Sequence, residues 1–480
     1  MKKCGYLLLI LCSFTSAKGQ LVSYSLMQSY TVQQLDSLLT ALGIGVLIAP
    51  EYPIDFYKVI YMTPYRHPDS LVRASGAVMV PKNITCPAPM GSYFHGTTTN
   101  RTNVPSYNSR EANIGILMAS QGLVAALPDY LGLGDSDSSV IIHPYISAFH
   151  QGHSAVNLLR AARQLADTLG ILLNGQLFLT GYSQGGFVTV ATHKLIEESY
   201  SSEFVVTASA PMSGAYDFKK TMVDVMLSDS SYAAPAYLPY LLLGYHAAYP
   251  LIQQSFPDIT KVFKSPYDTL LPPLFYNKNI EIGNINNLCD SVPKRMLLDS
   301  LVDAFKNDTM HPLRVVLAES HLLDWTPQAP VKLFYCRGDE QVTYLNAERA
   351  YDAWTTRGAT QVEKLDLGNY THVGCISFAL IGATNYLLSF KDACTGVARN
   401  EESLQIKIYP NPSSGSLFVY TDKPGAILSL SDLSGRIIGR YLMEQTTLHV
   451  DLQGIVPGIY IARAIWKDGS KVINRKLVVQ

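Results

Sequence analysis

Three residues far apart in the chain have the types needed for covalent acyl transfer. They are Ser183 within Gly181-Tyr182-Ser183-Gln184-Gly185, Asp339 within Arg337-Gly338-Asp339-Glu340, and His372 within Tyr370-Thr371-His372-Val373-Gly374. In a G-x-S-x-G element the serine occupies a strained strand-to-helix turn, and the flanking glycines remove side chains that would clash where strand and helix converge. The hydroxyl then lies exposed at a helix N-terminus, where the Gln184 N–H and the helix dipole favour an oxyanion. Such a serine needs a base to take its proton, and the base needs an anion to fix its tautomer and stabilise the imidazolium. The chain order for partners of this kind is Ser, then Asp or Glu, then His. Of the eleven histidines only His372 and His449 follow Asp339, and His449 falls in a separate C-terminal region, so His372 is the expected base. Asp339, set directly after a strand and a glycine, is the expected acid, with Glu340 as its rival. The second oxyanion donor is expected from His95-Gly96-Thr97, where Gly96 permits close approach of the backbone and Thr97 supplies the N–H.

Other polar clusters read as structural. His150 and His153 have an i, i+3 spacing that could hold a metal, and His143 lies nearby. Without close cysteines, an H-E-x-x-H pattern or a third ligand, capping and packing account for them better, and no metal is expected. His95, placed before the serine and beside a glycine, is expected to be structural. Gly132-Leu133-Gly134 is too short to bind a nucleotide and reads, with Asp129 and Asp135, as a turn after a strand. No cofactor is expected.

These residues need a scaffold that brings strand ends together. Alternation of β-branched and aromatic with polar residues over 56–62 and 71–80 predicts a hairpin, and 90–94 a short third strand leading into the His95 loop. Residues 122–128 are apolar on both faces, as in a central parallel strand. Helical spacing follows over 156–169, then a strand into Ser183 and a helix over 187–198. Strands at 204–208, 331–336 and 362–367, with helices over 345–356 and 376–390, complete an α/β pattern. It implies a mostly parallel sheet covered on both faces. The alternation breaks between about 217 and 330, where many tyrosines and leucines crowd a proline-broken stretch. This segment predicts a helical cap with an ordinary core, and its apolar inner surface could hold an acyl chain. After a composition shift near 396, seven short alternating segments from 404 to 479, separated by turn residues, predict a small antiparallel β-sandwich without chemistry of its own. The expected organisation is a leader over 1–19, the α/β unit over 20–396, a linker over 397–404 and the sandwich over 405–480.

Composition bounds the partners. Lys and Arg total 37 against 38 Asp and Glu, so no polyanionic partner such as nucleic acid is implied. Lys2 and Lys3, the apolar run 6–14 and Ala17-Lys18-Gly19 have the layout of a cleavable export signal. The run is too short to span a bilayer, and no later apolar segment is long enough to do so. Bulky Leu11 before Cys12 favours simple cleavage over lipid attachment. Five cysteines remain beyond the leader, namely Cys86, Cys289, Cys336, Cys375 and Cys394. Export permits disulfides, the odd count leaves at least one thiol over, and spacing leaves the pairing open.

The segment from about 57 to 388 resembles the secretory lipases of the α/β-hydrolase superfamily. The match rests on His95-Gly96-Thr97, Pro128-Asp129-Tyr130-Leu131-Gly132-Leu133-Gly134, His143-Pro144-Tyr145, Gly181-Tyr182-Ser183-Gln184-Gly185-Gly186 and the Asp339 and His372 strand ends. That resemblance implies hydrolysis of carboxylic esters, including triacylglycerols, through a Ser183 acyl-enzyme beneath a helical cap. The tail from about 406 resembles the type A sorting domains of the type IX secretion system, through Tyr409-Pro410-Asn411-Pro412, Asp432-Leu433-Ser434-Gly435-Arg436, Pro457-Gly458-Ile459-Tyr460 and Lys476-Leu477-Val478-Val479. It implies passage across both membranes to the cell surface or the medium, with that machinery as a partner. Two other readings compete: a serine peptidase on the same fold, and an exported binding protein that has lost turnover. The apolar cap and the lack of a propeller-like repeat before Ser183 weigh against the first, and the intact Ser, Asp and His against the second.

Overall fold

Apolar runs over the first 366 residues assemble into one sheet. The computed structural model describes residues 21–41, 49–394, 406–432, 435–466 and 472–480, so the expected leader and linker lie outside the described residues. The sheet contains β1 (Leu21–Tyr30), β2 (Ile54–Tyr65), β3 (His67–Pro81), β4 (Ala88–Phe94), β5 (Val124–Pro128), β6 (Leu173–Tyr182), β7 (Val205–Met212), β8 (Val331–Tyr335) and β9 (Val362–Asp366). Their order is β1-β2-β3-β5-β4-β6-β7-β8-β9. The first three are antiparallel, β3 also runs antiparallel to β5, and every pairing from β5 to β9 is parallel. β4 and β5 are buried at every position, as strands covered on both faces must be.

Helices cover the two faces separately. On one side α1 (Val32–Ala41), α2 (Ala112–Ser120) and α13 (His372–Leu388) pack through Leu35, Ile116, Cys375 and Ala379. On the other lie α3 (Ala148–Thr168), α4 (Gln184–Ser199) and α12 (Leu345–Thr356), with Leu158, Val188 and Trp354 in the core. The segment between β7 and β8 holds α5 (Thr221–Met226), α6 (Tyr237–Ala248), α7 (Pro250–Ser255), α8 (Tyr267–Asn277), α9 (Ile282–Asn286), α10 (Asp299–Asn307) and α11 (Pro312–Glu319). They share one apolar core with the α3 face.

The C-terminal segments form β10 (Ile406–Tyr409), β11 (Ser416–Thr421), β12 (Ala426–Asp432), β13 (Ile437–Met443), β14 (Thr447–Asp451), β15 (Gly458–Trp466) and β16 (Val472–Val479). They make two antiparallel sheets, β10-β11-β14 and β13-β12-β15-β16, around a core of their own that includes Leu417, Val419, Leu428, Leu430, Ala462 and Trp466. The expected sandwich is therefore present.

Three differences from the sequence reading stand out. β1 was not anticipated: Val22, Tyr24 and Leu26 alternate with Ser23 and Ser25, yet they stay exposed on an edge strand that adds little to the core. α13 begins at His372 rather than near 376, because Thr371 caps it by accepting the Gly374 N–H at 3.2 Å. β5 is parallel to β4 alone, its other neighbour being antiparallel.

The turn from β6 to α4 is possible only with the glycines present. Ser183 has φ +61°, a conformation rare for a residue with a side chain. A Cβ on Gly185 would lie 1.8 Å from the Phe94 carbonyl oxygen, and one on Gly181 would lie 2.5 Å from that of Gly185. Because both obstacles are backbone, Gly185→Ala is expected to destabilise the protein by about 3 kcal/mol. A urea-unfolding midpoint equal to wild type would contradict this packing.

Candidate active site

Ser183, Asp339 and His372 come together at the C-terminal edge of the parallel strands. Ser183 follows β6, Asp339 lies four residues past β8, and His372 is the first residue of α13 after β9. The His372 Nε2 lies 2.8 Å from Ser183 Oγ, and its Nδ1 lies 2.7 Å from Asp339 Oδ2. Since a carboxylate only accepts, Nδ1–H donates to Asp339 and leaves Nε2 free to accept the serine proton. Asp339 Oδ1 accepts the N–H groups of Gln341 at 3.0 Å and Val342 at 2.8 Å, which hold the carboxylate in place. All three side chains are nearly buried, with exposures of 6, 7 and 5% for Ser183, Asp339 and His372.

Glu340 has a different task from Asp339. Its carboxylate accepts the His372 backbone N–H at 2.9 Å, while the Tyr182 hydroxyl donates to the His372 carbonyl at 2.6 Å. Partial burial pushes the Glu340 carboxyl upward, but the His372 N–H and its other hydrogen bonds outweigh that and hold it below the usual glutamate value. The disulfide between Cys336 and Cys375 joins the end of β8 to the first turn of α13, so acid and imidazole are carried on covalently linked elements. A second disulfide links Cys86 to Cys394. Cys289 keeps a free thiol, its pKa pushed up by burial to about 12.

The loop after β4 is held at almost every residue. The Tyr130 hydroxyl donates to the His95 carbonyl, the Tyr240 hydroxyl to the Thr98 carbonyl, and Thr97 Oγ1 lies 3.0 Å from the Tyr145 hydroxyl. The Gly96 N–H donates to both oxygens of Glu111 at 3.1 Å, and the Tyr93 hydroxyl donates to the same carboxylate at 2.8 Å. No acceptor among the described residues takes the Thr97 N–H. Gln184 opens α4, so its N–H belongs to the first turn, which has no intrahelical acceptors. The two expected oxyanion donors, Thr97 and Gln184, thus keep unused N–H groups, and Thr97 lines the same cleft as Ser183.

The remaining histidines are structural in different ways. Burial pushes the His143 pKa down to about 3, so it is neutral; Nδ1–H donates to the Leu131 carbonyl, and Nε2 accepts from the Gln184 side-chain amide at 2.7 Å. His143 therefore braces the residue next to the serine. His150 Nδ1 lies 2.7 Å from Ser147 Oγ at the start of α3, and His153 Nδ1–H donates to the Phe149 carbonyl. Glu111 was missed in the sequence. Its only local signal is a lone acidic residue leading into the uncharged helix α2.

Ser183 and His372 open into a cleft of about 550 Å³, also lined by Thr97, Glu111, Tyr182, Tyr237 and residues of α2 and α13. Among the described residues that line it, only Tyr237 comes from the cap, whose other apolar side chains join the core shared with the α3 face. The apolar gap within the cap, lined by residues such as Leu238, Leu301 and Phe305, does not include Ser183 or His372 among its lining. No helix among the described residues is long and apolar enough to cross a membrane.

Known proteins similar to this chain include lipases and esterases. Residues 112–388 match the secretory lipase family, and residues 407–480 match the secretion system C-terminal sorting domain. A secreted triacylglycerol lipase of Malassezia globosa is 22% identical over 332 residues, 65% of this chain and 67% of that protein. A hydrolase of Legionella pneumophila superposes with a TM-score of 0.69 at 27% identity, over 80% of this chain and all of that one. The ligand-bound rice cell wall degrading esterase LipA of Xanthomonas oryzae gives 0.66 at 26% identity, over 78% and 99%. Closed Candida antarctica lipase A shares the fold at 15% identity, with a TM-score of 0.59 over 80% and 85%. As the family match spans more than half of its length, the chain belongs to the secretory lipase family: it is an exported carboxylic ester hydrolase of α/β-hydrolase fold, bearing a C-terminal sorting domain.

Proposed function

We propose that the protein hydrolyses carboxylic esters through a Ser183 acyl-enzyme, with His372 as general base and acid and Asp339 as its orienting anion. The observation that carries the reading is the unbroken hydrogen-bonded line from Ser183 Oγ through His372 to Asp339. His372 Nε2 takes the serine proton as Oγ attacks the ester carbonyl, and the imidazolium stabilised by Asp339 returns that proton to the departing alkoxide. The Thr97 and Gln184 N–H groups receive the oxyanion, aided by the N-terminus of α4. Water then repeats the cycle on the acyl-enzyme and frees the acid. The N-terminal leader and the sorting domain direct the chain through the type IX machinery, with release or surface attachment. A non-catalytic binding role would not require an imidazole aimed at a serine in a strained conformation.

Ser183→Ala is expected to lower kcat for p-nitrophenyl butyrate by about 10⁶-fold and to abolish fluorophosphonate labelling. Turnover equal to wild type would end the proposal. Asp339→Asn is expected to lower kcat by about 10⁴-fold, because the asparagine amide no longer favours the productive tautomer. Activity within a few-fold of wild type would assign the acid elsewhere. Glu111→Ala frees the Gly96 N–H and loosens the loop that aims Thr97. It is expected to lower kcat roughly tenfold to a hundredfold, with little change in KM, and Glu111→Gln should recover part of the loss. A change confined to KM or to the unfolding midpoint would deny Glu111 that positioning role.

A further inference from the structure

The cleft that starts at Ser183 continues away from the cap. α2 lies over β3, β4 and β5, whereas α13 lies over β6, β7 and β8, so a groove remains between the two helices. Ile114 and Leu117 form one wall and Leu380 and Thr384 the other. The same four residues line a further small apolar pocket that reaches Leu123 and Phe178. Neither α2 nor α13 carries an Asp, Glu, Lys or Arg, although α13 is half exposed. A surface helix ordinarily turns charge toward water. The cleft's charges are Arg110 and Glu111, both at the Ser183 end, and Glu111 is occupied by Gly96 and Tyr93. From His372 to Thr384 the wall runs twelve residues, or about 18 Å at helical rise. The gap inside the cap is smaller, about 50 Å³, and is lined by neither Ser183 nor His372.

We propose that the groove between α2 and α13 seats an unbranched alkyl chain of the ester substrate, laid over Ile114, Leu117, Leu380 and Thr384. This rests on the ester-hydrolase reading of Ser183 and His372. The chain comes from either the acid or the alcohol of the ester, and two substrate series separate these sources: p-nitrophenyl esters of lengthening acids, and acetates of lengthening alcohols.

In wild type, kcat/KM should rise roughly fourfold per added methylene in the series whose chain enters the groove. Leu380→Trp and Thr384→Trp should lower the long-chain to short-chain ratio in that series at least tenfold. Leu301→Phe, in the cap gap, should shift neither ratio by more than twofold. The proposal is overturned if both groove variants keep the wild-type ratios in both series, or if Leu301→Phe alone shifts them. A wild type that hydrolyses no ester in either series would instead contradict the ester-hydrolase reading. A second measurement needs no variant: a long-chain alkyl phosphonate with a terminal diazirine is attached to Ser183 of the wild-type protein and irradiated. Crosslinks to peptides of α2 or α13 are expected, and crosslinks confined to residues 217–330 would overturn the proposal.

Discussion

The backbone of Ser183 is the constraint on which the rest of the structure depends. Its positive φ lifts the hydroxyl out of the line of β6 and sets it at the start of α4, in reach of an imidazole delivered after β9, three strands away. That conformation carries an energetic cost of order 1–3 kcal/mol, and the surroundings hold it. The Ser183 N–H donates to the Met212 carbonyl at 3.0 Å, Gly185 lies against Phe94, and Gly186 lies against Met212. β4 and β7 therefore grip the turn from both sides. A parallel sheet suits this task because its strands end along one edge, so residues distant in sequence emerge side by side.

Asp339 and His372 are held by several contacts that leave the His372 Nε2 and Ser183 Oγ facing each other. Asp339 is fixed by two backbone N–H groups, the His372 backbone by Glu340 and Tyr182, and the two carrier elements by a disulfide closing a 39-residue separation. The loop after β4 follows the same plan. Tyrosines from the turn after β5 and from the cap satisfy its carbonyls, and Glu111 satisfies Gly96, leaving the Thr97 N–H unused. This gives the tyrosine-rich cap a physical role in the site: its hydroxyls brace backbone, while α2 and α13 supply the apolar wall.

Much of this was legible in the sequence, for local reasons. Ser183 announces itself through glycines that only a tight turn needs, and Asp339 and His372 stand just past the short strands β8 and β9, so order and placement sufficed to nominate them. The sandwich was equally plain, because each strand is bounded by turn residues. What was hidden depends on contacts between distant segments. Glu111 meets Gly96 from the start of another helix, and His143 meets Gln184 across 41 residues, a pairing that no spacing rule encodes. Between Asp339 and Glu340 the sequence could only express a preference, since adjacent carboxylates differ there solely in which way each points. For the cap, apolar composition signals burial without saying whether a ligand or the protein itself fills the space.

The central claim is that Ser183 becomes covalently acylated during turnover. Rapid quenching of the enzyme with a p-nitrophenyl ester, followed by peptide mass spectrometry, tests it most directly. The account predicts a transient mass increase equal to the acyl group on the peptide containing Ser183, decaying as substrate is exhausted. Steady hydrolysis with that peptide never modified, at times when p-nitrophenol is being released, would contradict it.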